Sequence, residues 1–507
     1  MSTGLTTRPG TPVPPPRGAG TFRGLKPLIT RIHFYAGLFV GPFLLVAAVT
    51  GLLYTLAPTL ERWVHADALQ VPVTGPAAPL SEQVGAAVAT QPGLPVAEVR
   101  PSAEPGGTTR VSFDAGLPES YHRTVFVDPY TAEPRTILDT YAEWLPVRGV
   151  IDNLHRSLLL GPPGQVYSEL AASWLAVLAV SGLVVQLTRR VRARRERLLP
   201  RTDGSSRARL RSWHGAVGVW ASVGLLFLAT TGLTWSQFAG ANVGALRSAL
   251  DWTTPSVATA LPAAGGDAAP ATGGPADPAT GDTAGPATGD TAGPATGDTA
   301  GPATDGTAGP ATGDTAAGTA ERVLAAARAD GLDGPVEITP GDPGEAWTVA
   351  QTVRSWPSQQ DSVAVDPATG VITDRLAFDD WPVAAKLARW GIDAHMGLLF
   401  GTVNLVALAA LASAVIVLVV WGYRMWWLRR PPLPGGHRAV AGPPGSRQRP
   451  APAAVGVVAL TAVLAGLVLP VLGVSLLAFL LLDAALSGAR SRPPAPRARR
   501  AEDAGTG

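Results

Sequence analysis

Long apolar blocks alternate with polar stretches along this chain. RIHFYAGLFVGPFLLVAAVTGLLYTL, residues 31–56, carries His33 at its entrance and is long enough to cross a hydrocarbon core, which takes roughly 18–20 mostly apolar residues. An altered copy, RSWHGAVGVWASVGLLFLATTGLTWS, occupies residues 211–236. In both, a glycine follows the histidine four residues on (Gly37, Gly218). Seventeen residues after each histidine comes Thr-Gly-Leu, at Thr50-Gly51-Leu52 and Thr231-Gly232-Leu233. Spacing shared over most of a span points to two related halves, each opening on a histidine-bearing transmembrane helix.

The pattern predicts spans at about 32–57, 169–188, 213–236 and 394–421. Between the first two, residues 66–145 alternate in the manner of a soluble α+β module. A short amphipathic helix (81–90) precedes strand-like VAEVR, TRVSFD and RTVFVDP. The same order returns at 319–380, with AERVLAAARA (320–329), PVEIT, AWTVAQT and SVAVDPATGVI. Residues 1–21 lack an apolar core and read as a disordered tail. Residues 241–318 are dominated by the octad GPATGDTA, a composition that cannot bury a core and predicts a solvated linker. The apolar stretch 453–486 is interrupted at Gly466 and Pro470, and two short tilted spans are expected there rather than one long helix. The remaining divisions are 22–65 and 146–188 around the first two spans, 212–240 and 381–423 around the next two, and the polar segments 189–211, 424–452 and 487–507.

Charge sets the topology. Ten arginines lie between 189 and 211, Arg424, Arg429 and Arg430 follow the fourth span, and Arg17, Arg23, Lys26 and Arg31 precede the first. By the positive-inside rule these segments and the N-terminus are cytoplasmic, both α+β stretches are exoplasmic, and the protein is expected in the plasma membrane. The arginine run needs no nucleic acid to explain it. The 507 residues include no cysteine, which excludes disulfides, thiolate metal sites and c-type haem attachment. No Walker motif, strand-associated G-x-G-x-x-G or H-E-x-x-H occurs, which disfavours a nucleotide-driven pump, a built-in nicotinamide domain and a metalloprotease.

RIHFYAGLFVGPFLLVAAVTGLLY, the V-x-V-D-P-x-T segments, NLHRSLLLG (153–161), WHGAVGVW (213–220) and DAHMGLLFG (393–401) together resemble the PepSY-associated transmembrane family. The resemblance covers most of residues 22–430. It implies a polytopic α-helical membrane protein with a four-helix core made of two repeats, each bearing an exoplasmic PepSY-like α+β module. Members tied to a function resemble ferric-siderophore reductases thought to carry haem; other PepSY modules are linked to control of peptidases.

Four of the seven histidines fall at span boundaries in a regular order. His33 and His214 enter spans one and three; His155 and His395 approach spans two and four, each followed by Leu-Leu and by a glycine six residues on (Gly161, Gly401). Ionisable residues at membrane depth are costly and usually functional. The expectation is two bis-histidine haem b sites, His33 with His214 and His155 with His395, with the stripes His33-Gly37-Gly41 and His214-Gly218-Ser222 admitting a macrocycle. His65, His122 and His437 have no repeat partner and are excluded. Trp213 and Trp390 are read as interfacial anchors, and Asp128 and Asp366 as turn residues. The expected activity is outward electron transfer from an unidentified donor to a ferric chelate, releasing iron. The alternative is a colourless, non-enzymatic protein whose PepSY-like modules bind an extracytoplasmic partner.

Overall fold

A computed structural model describes residues 21–189, 194–261, 313–430 and 452–489. The N-terminal tail, most of the octad linker, His437 and the C-terminal arginines lie outside the described residues. Two compact units are defined by the internal contacts. One comprises residues 1–41, 176–222 and 420–507, the other 42–175 and 223–419.

The helices preceding the sheet are α1 (Thr21–Phe39), α2 (Gly41–Val64), α3 (Ala66–Leu69) and α4 (Leu80–Thr90). Strands β1 (Val96–Arg100), β2 (Thr109–Phe113), β3 (Tyr121–Val127) and β4 (Pro134–Tyr141) follow. Helices α5 (Pro146–Ser157), α6 (Pro162–Leu187), α7 (Ser206–Leu233) and α8 (Gln237–Ala249) lead to α9 (Gly313–Ala329). Strands β5 (Val336–Thr339), β6 (Trp347–Gln351), β7 (Ser362–Val365) and β8 (Ile372–Leu376) precede α10 (Val383–His395), α11 (Gly401–Leu428), α12 (Pro452–Val468) and α13 (Pro470–Ala489). Four helices, α2, α6, α7 and α11, are long and apolar enough to cross a membrane.

In the second unit the strands expected on either side of the linker join in one antiparallel sheet, ordered β4-β3-β2-β1-β5-β6-β7-β8. The joint is β1 against β5, with Val99 opposite Ile338. Alternation sends Val99, Val111, Phe113, Val125, Val127, Ile338, Val349, Val363 and Val365 to one face, where α4 and α9 cover them. Helix α9 starts seven residues earlier than the sequence pattern suggests. It buries Ala316, Ala317, Ala320, Val323 and Ala327, and this run of small residues lets it lie close to α4. On the opposite face Ser112, Thr124 and Thr140 are joined hydroxyl to hydroxyl at 2.9 and 2.7 Å, while Phe126 packs with Ala68 and Leu145, and Ala364 with Val257 and Ala346. Asp128 and Asp366 close the turns after β3 and β7 by accepting the backbone N–H groups of Tyr130 and Ala368 at 2.9 and 2.8 Å.

Two strands and four helices escaped the sequence pattern: β4, β8, α3, α5, α8 and α10. β4 and β8 carry polar residues between apolar ones and half-exposed side chains, so their apolar signal is weak. The amphipathic helices α5 and α10 carry His155 and His395 in their last turns and deliver them to the spans. Gly161 and Gly401, φ +63° and +53°, take the left-handed conformation at the turns into α6 and α11, which explains the glycine six residues after each histidine.

The first span is interrupted at Val40. Pro42 has no N–H to give the Leu38 carbonyl, and the Tyr423 hydroxyl donates to that oxygen instead at 2.5 Å. In the first unit α12 and α13 pack closely where Gly466 faces Gly473; a Cβ on Gly473 would lie 2.4 Å from the Gly466 Cα.

Glu169, 1% exposed on α6, accepts the N–H groups of Phe238 and Ala239 at 2.9 and 3.3 Å and so caps the first turn of α8. Glu169→Leu strands both donors and is expected to cost about 2–4 kcal/mol, whereas Glu169→Gln, which keeps an acceptor, costs about 1 kcal/mol. Thermal unfolding of the two variants in one detergent tests the difference; equal losses would remove the cap from the account.

Candidate functional site

His33 and His214 meet in the first unit. Their ring centroids lie 6.3 Å apart with the planes at 82°. A metal bound coaxially between two imidazoles, about 2 Å from each nitrogen, sets the ring centroids about 6 Å apart. That distance matches the spacing of the two rings. His33 is held by α6: its Nδ1 lies 2.9 Å from Ser181 Oγ, and a Cβ on Gly182 would stand 3.0 Å from its Cε1. Only glycine next to Ser181 leaves room for the ring.

The same arrangement recurs twice in the second unit. His155 Nδ1 lies 2.9 Å from Thr50 Oγ1, with Gly51 against its Cε1; a Cβ there would come to 3.3 Å. His395 Nδ1 lies 2.6 Å from Thr231 Oγ1, and a Cβ on Gly232 would lie 3.6 Å from its Cε1. His155 and His395 sit within electrostatic reach of one another. The indole of Trp235 packs edge-on to His395 at 5.6 Å.

These hydroxyls fix the tautomer by donor count. Each has one proton, and each donates it to its own helix: Thr50 to Val46 O at 2.9 Å, Thr231 to Phe227 O at 2.8 Å, Ser181 to Leu178 O at 3.3 Å. The hydroxyl oxygen then accepts from imidazole Nδ1–H, which leaves the lone pair on Nε2. This tautomer is an assignment from the network. A metal-ligating histidine is typically anchored in this way, through the ring nitrogen that does not bind the metal. Among the described residues no group of three or more side chains that could hold a metal ion occurs.

The Thr-Gly pairs were visible as repeat markers, but sequence gave them no role. The histidines they hold lie more than 100 residues away, and nothing local signals that pairing. Ser181-Gly182 carried no spacing signal. A Cβ on Gly37 would lie 4.0 Å from Leu178 Cδ2. Trp390 belongs to an aromatic cluster with Trp356 and Phe378, with centroids 5.3 and 6.0 Å away.

An ion network ties the helices bearing His155 and His395 to the sheet. Arg100, on the polar face of β1, is ringed by Glu98, Glu143 (3.3 Å) and Glu337 (2.5 Å). Glu143 is shared with Arg354, which also holds the fully buried Asp393 at 2.6 Å, two residues before His395. Trp144, beside Glu143, lies under the guanidinium of Arg148 at 3.5 Å; Arg148 Nε in turn donates to Tyr54 OH at 3.0 Å, one turn after Thr50. Burial works to raise the Glu143 carboxyl, but Arg354 and then Arg100 hold it below its ordinary value. Glu337 has no second guanidinium. Burial first, then the like charges of Glu98 and Glu143, outweigh Arg100 and push it up to about 7.

The fold and the histidines define a polytopic membrane protein with an extramembrane sheet. The family model of the PepSY-associated TM region matches residues 30–429, and the chain belongs to that family. No curated protein sequence matches the chain.

Because the folded state raises the Glu337 carboxyl, its protonated form favours the fold. That contribution is complete below the ordinary glutamate value of 4.5 and is lost as pH rises through about 7. Glu337→Gln stays neutral throughout, so its thermal stability relative to the unmodified protein should rise between about pH 5 and pH 8. A pH-independent difference would mean that Glu337 is ionised in the fold across that range.

Proposed function

We propose that this protein is a haem-carrying membrane oxidoreductase that passes electrons outward across the plasma membrane to a ferric chelate of the siderophore type. The observation that carries the reading is the His33–His214 spacing of 6.3 Å, which suits one metal between two imidazoles. Two features support a haem: the anchored Nδ1 atoms of His33, His155 and His395 leave Nε2 as the ligand, and Gly182 and Gly51 lie where a Cβ would press on the His33 and His155 rings. Bound between two imidazoles, haem iron supplies reversible one-electron transfer.

The pairing of His155 with His395 completes the second site. Its support is that both rings rest on a Thr-Gly step in equivalent places of the two proposed repeats. His214 and Thr231 stand seventeen residues apart on α7, about 25 Å of helix rise, so one helix serves both sites. Arginine asymmetry assigns the His33–His214 site to the cytoplasmic leaflet, where an unidentified donor would deliver electrons, and the sheet to the exoplasmic side. Reduction weakens the hold of hard oxygen donors on iron, which releases the metal from its carrier.

Protein purified in detergent from haem-supplied cells should show a Soret band that sharpens on dithionite reduction, with about two haems per chain. His33→Ala or His214→Ala should remove one haem, and His155→Ala or His395→Ala the other. A colourless protein would sink the proposal and favour the partner-binding alternative.

The hydroxyl anchors give a separate expectation. Thr50→Val and Thr231→Val keep the side-chain shape but lose the acceptor, and haem affinity should fall roughly 10–100-fold. Haem transfer to apomyoglobin measures this. Unchanged retention in both variants would deny the threonines any positioning role.

A further inference from the structure

Between the arginine-rich ends of α7 and α11, within the first unit, lies a crevice of about 370 Å³. Each helix lines it with one stripe. Arg209 and Leu210 lie one turn before Trp213 on α7, and Trp421, Arg424 and Leu428 occupy one face of α11. The indoles of Trp213 and Trp421 meet edge to face at 6.3 Å. Both arginines stand one helical turn from this tryptophan pair toward the arginine-rich end, four residues before Trp213 and three after Trp421. Two cations thus converge at one level above an aromatic floor with leucine walls.

Neither Arg209 nor Arg424 has a carboxylate or side-chain hydrogen-bond partner among the described residues. Their neighbours at this end are accommodated: Arg429 lies over the Phe34 ring at 4.8 Å and Arg430 over Trp426 at 3.9 Å. Glu196 and Asp203, the acids between 189 and 211, both pair with Arg201, and residues 424–452 contain no acid at all. Positive charge at a span's end serves topology, yet topology does not require two guanidiniums to face one crevice beside two indoles.

We propose that this crevice binds a phosphate group, supplied by the headgroup of an anionic phospholipid. Guanidinium matches phosphate oxygens two at a time, indoles seek the headgroup level, and the leucines offer an apolar wall to the first acyl methylenes. The site is independent of the haem reading, because none of its residues ligates or anchors the histidines.

The test is native mass spectrometry of the full-length protein released from nanodiscs of phosphatidylglycerol and phosphatidylcholine in equal parts. Retention of one phosphatidylglycerol in preference to phosphatidylcholine is expected. Arg209→Gln/Arg424→Gln together should weaken it by roughly ten-fold or more, and Arg207→Gln, on the same helix but outside the crevice, should not. Lipid-free protein titrated with inorganic pyrophosphate forms the second arm. Binding there that is lost in the double variant, without lipid retention, would keep the phosphate site but overturn the lipid as its source. Equal loss in Arg207→Gln, or no preference of either phosphate for the unmodified protein over the double variant, would overturn the site.

Discussion

A polar side chain within an apolar helix bundle persists only if its hydrogen-bonding groups are met inside the protein, and the imidazole–hydroxyl bond is where this fold meets that demand. Ser181, Thr50 and Thr231 each spend their proton on their own helix and turn an oxygen toward a histidine from elsewhere in the chain. The bond leaves one defined nitrogen for chemistry. The adjacent glycine is part of the device, since a side chain at Gly182 would collide with the ring of His33. Helix packing and ring orientation thus follow from a Ser/Thr-Gly step placed opposite a histidine.

The extramembrane sheet serves the same end through charge. Asp393 is fully buried, and such a carboxyl is tolerable only with close cations. Arg354 and Arg389 meet it at 2.6 and 3.2 Å, and Arg354 shares Glu143 with Arg100 on the sheet. His395 is therefore placed by a helix whose last turn is tied to the sheet, while Arg148 and Tyr54 tie α5 to the helix that carries Thr50. Removing one member of such a network leaves an uncompensated charge rather than a lost contact, so the sheet-side ends of the spans are held more firmly than their exposed apolar surface suggests.

Much of this was legible in the chain. The four spans follow from run length, and VAEVR, TRVSFD and VFVDP from alternation, because each signal depends on residues near one another. The histidines were legible because a charge-capable residue at membrane depth is rare enough to stand out. Their anchors were not: Thr50 serves His155 and Thr231 serves His395, partnerships of three-dimensional packing that leave no period in the sequence. The single sheet was illegible for the same reason, since β1 and β5 lie on opposite sides of the octad linker and pair at Val99 and Ile338. Helices α5 and α10 were obscured because their arginines and aspartates read as loop until the network that buries them is seen.

The two C-terminal apolar helices lie outside the residues that define the family, yet they belong to the unit that holds His33. Arg31, two residues before that histidine and 2% exposed, meets Asp483 of α13 at 3.2 Å, and Tyr35 packs on Phe479 with centroids 5.8 Å apart. An arginine and an aspartate in apolar helices are each costly alone, and together they compensate one another only in a fixed geometry. Such a pair adds little net attraction but specifies register: a slip of one residue in α13 would turn Asp483 away and leave Arg31 buried against hydrocarbon. The added helices thus dock at one position on α1, and the same contact restrains the segment from which His33 reaches Ser181.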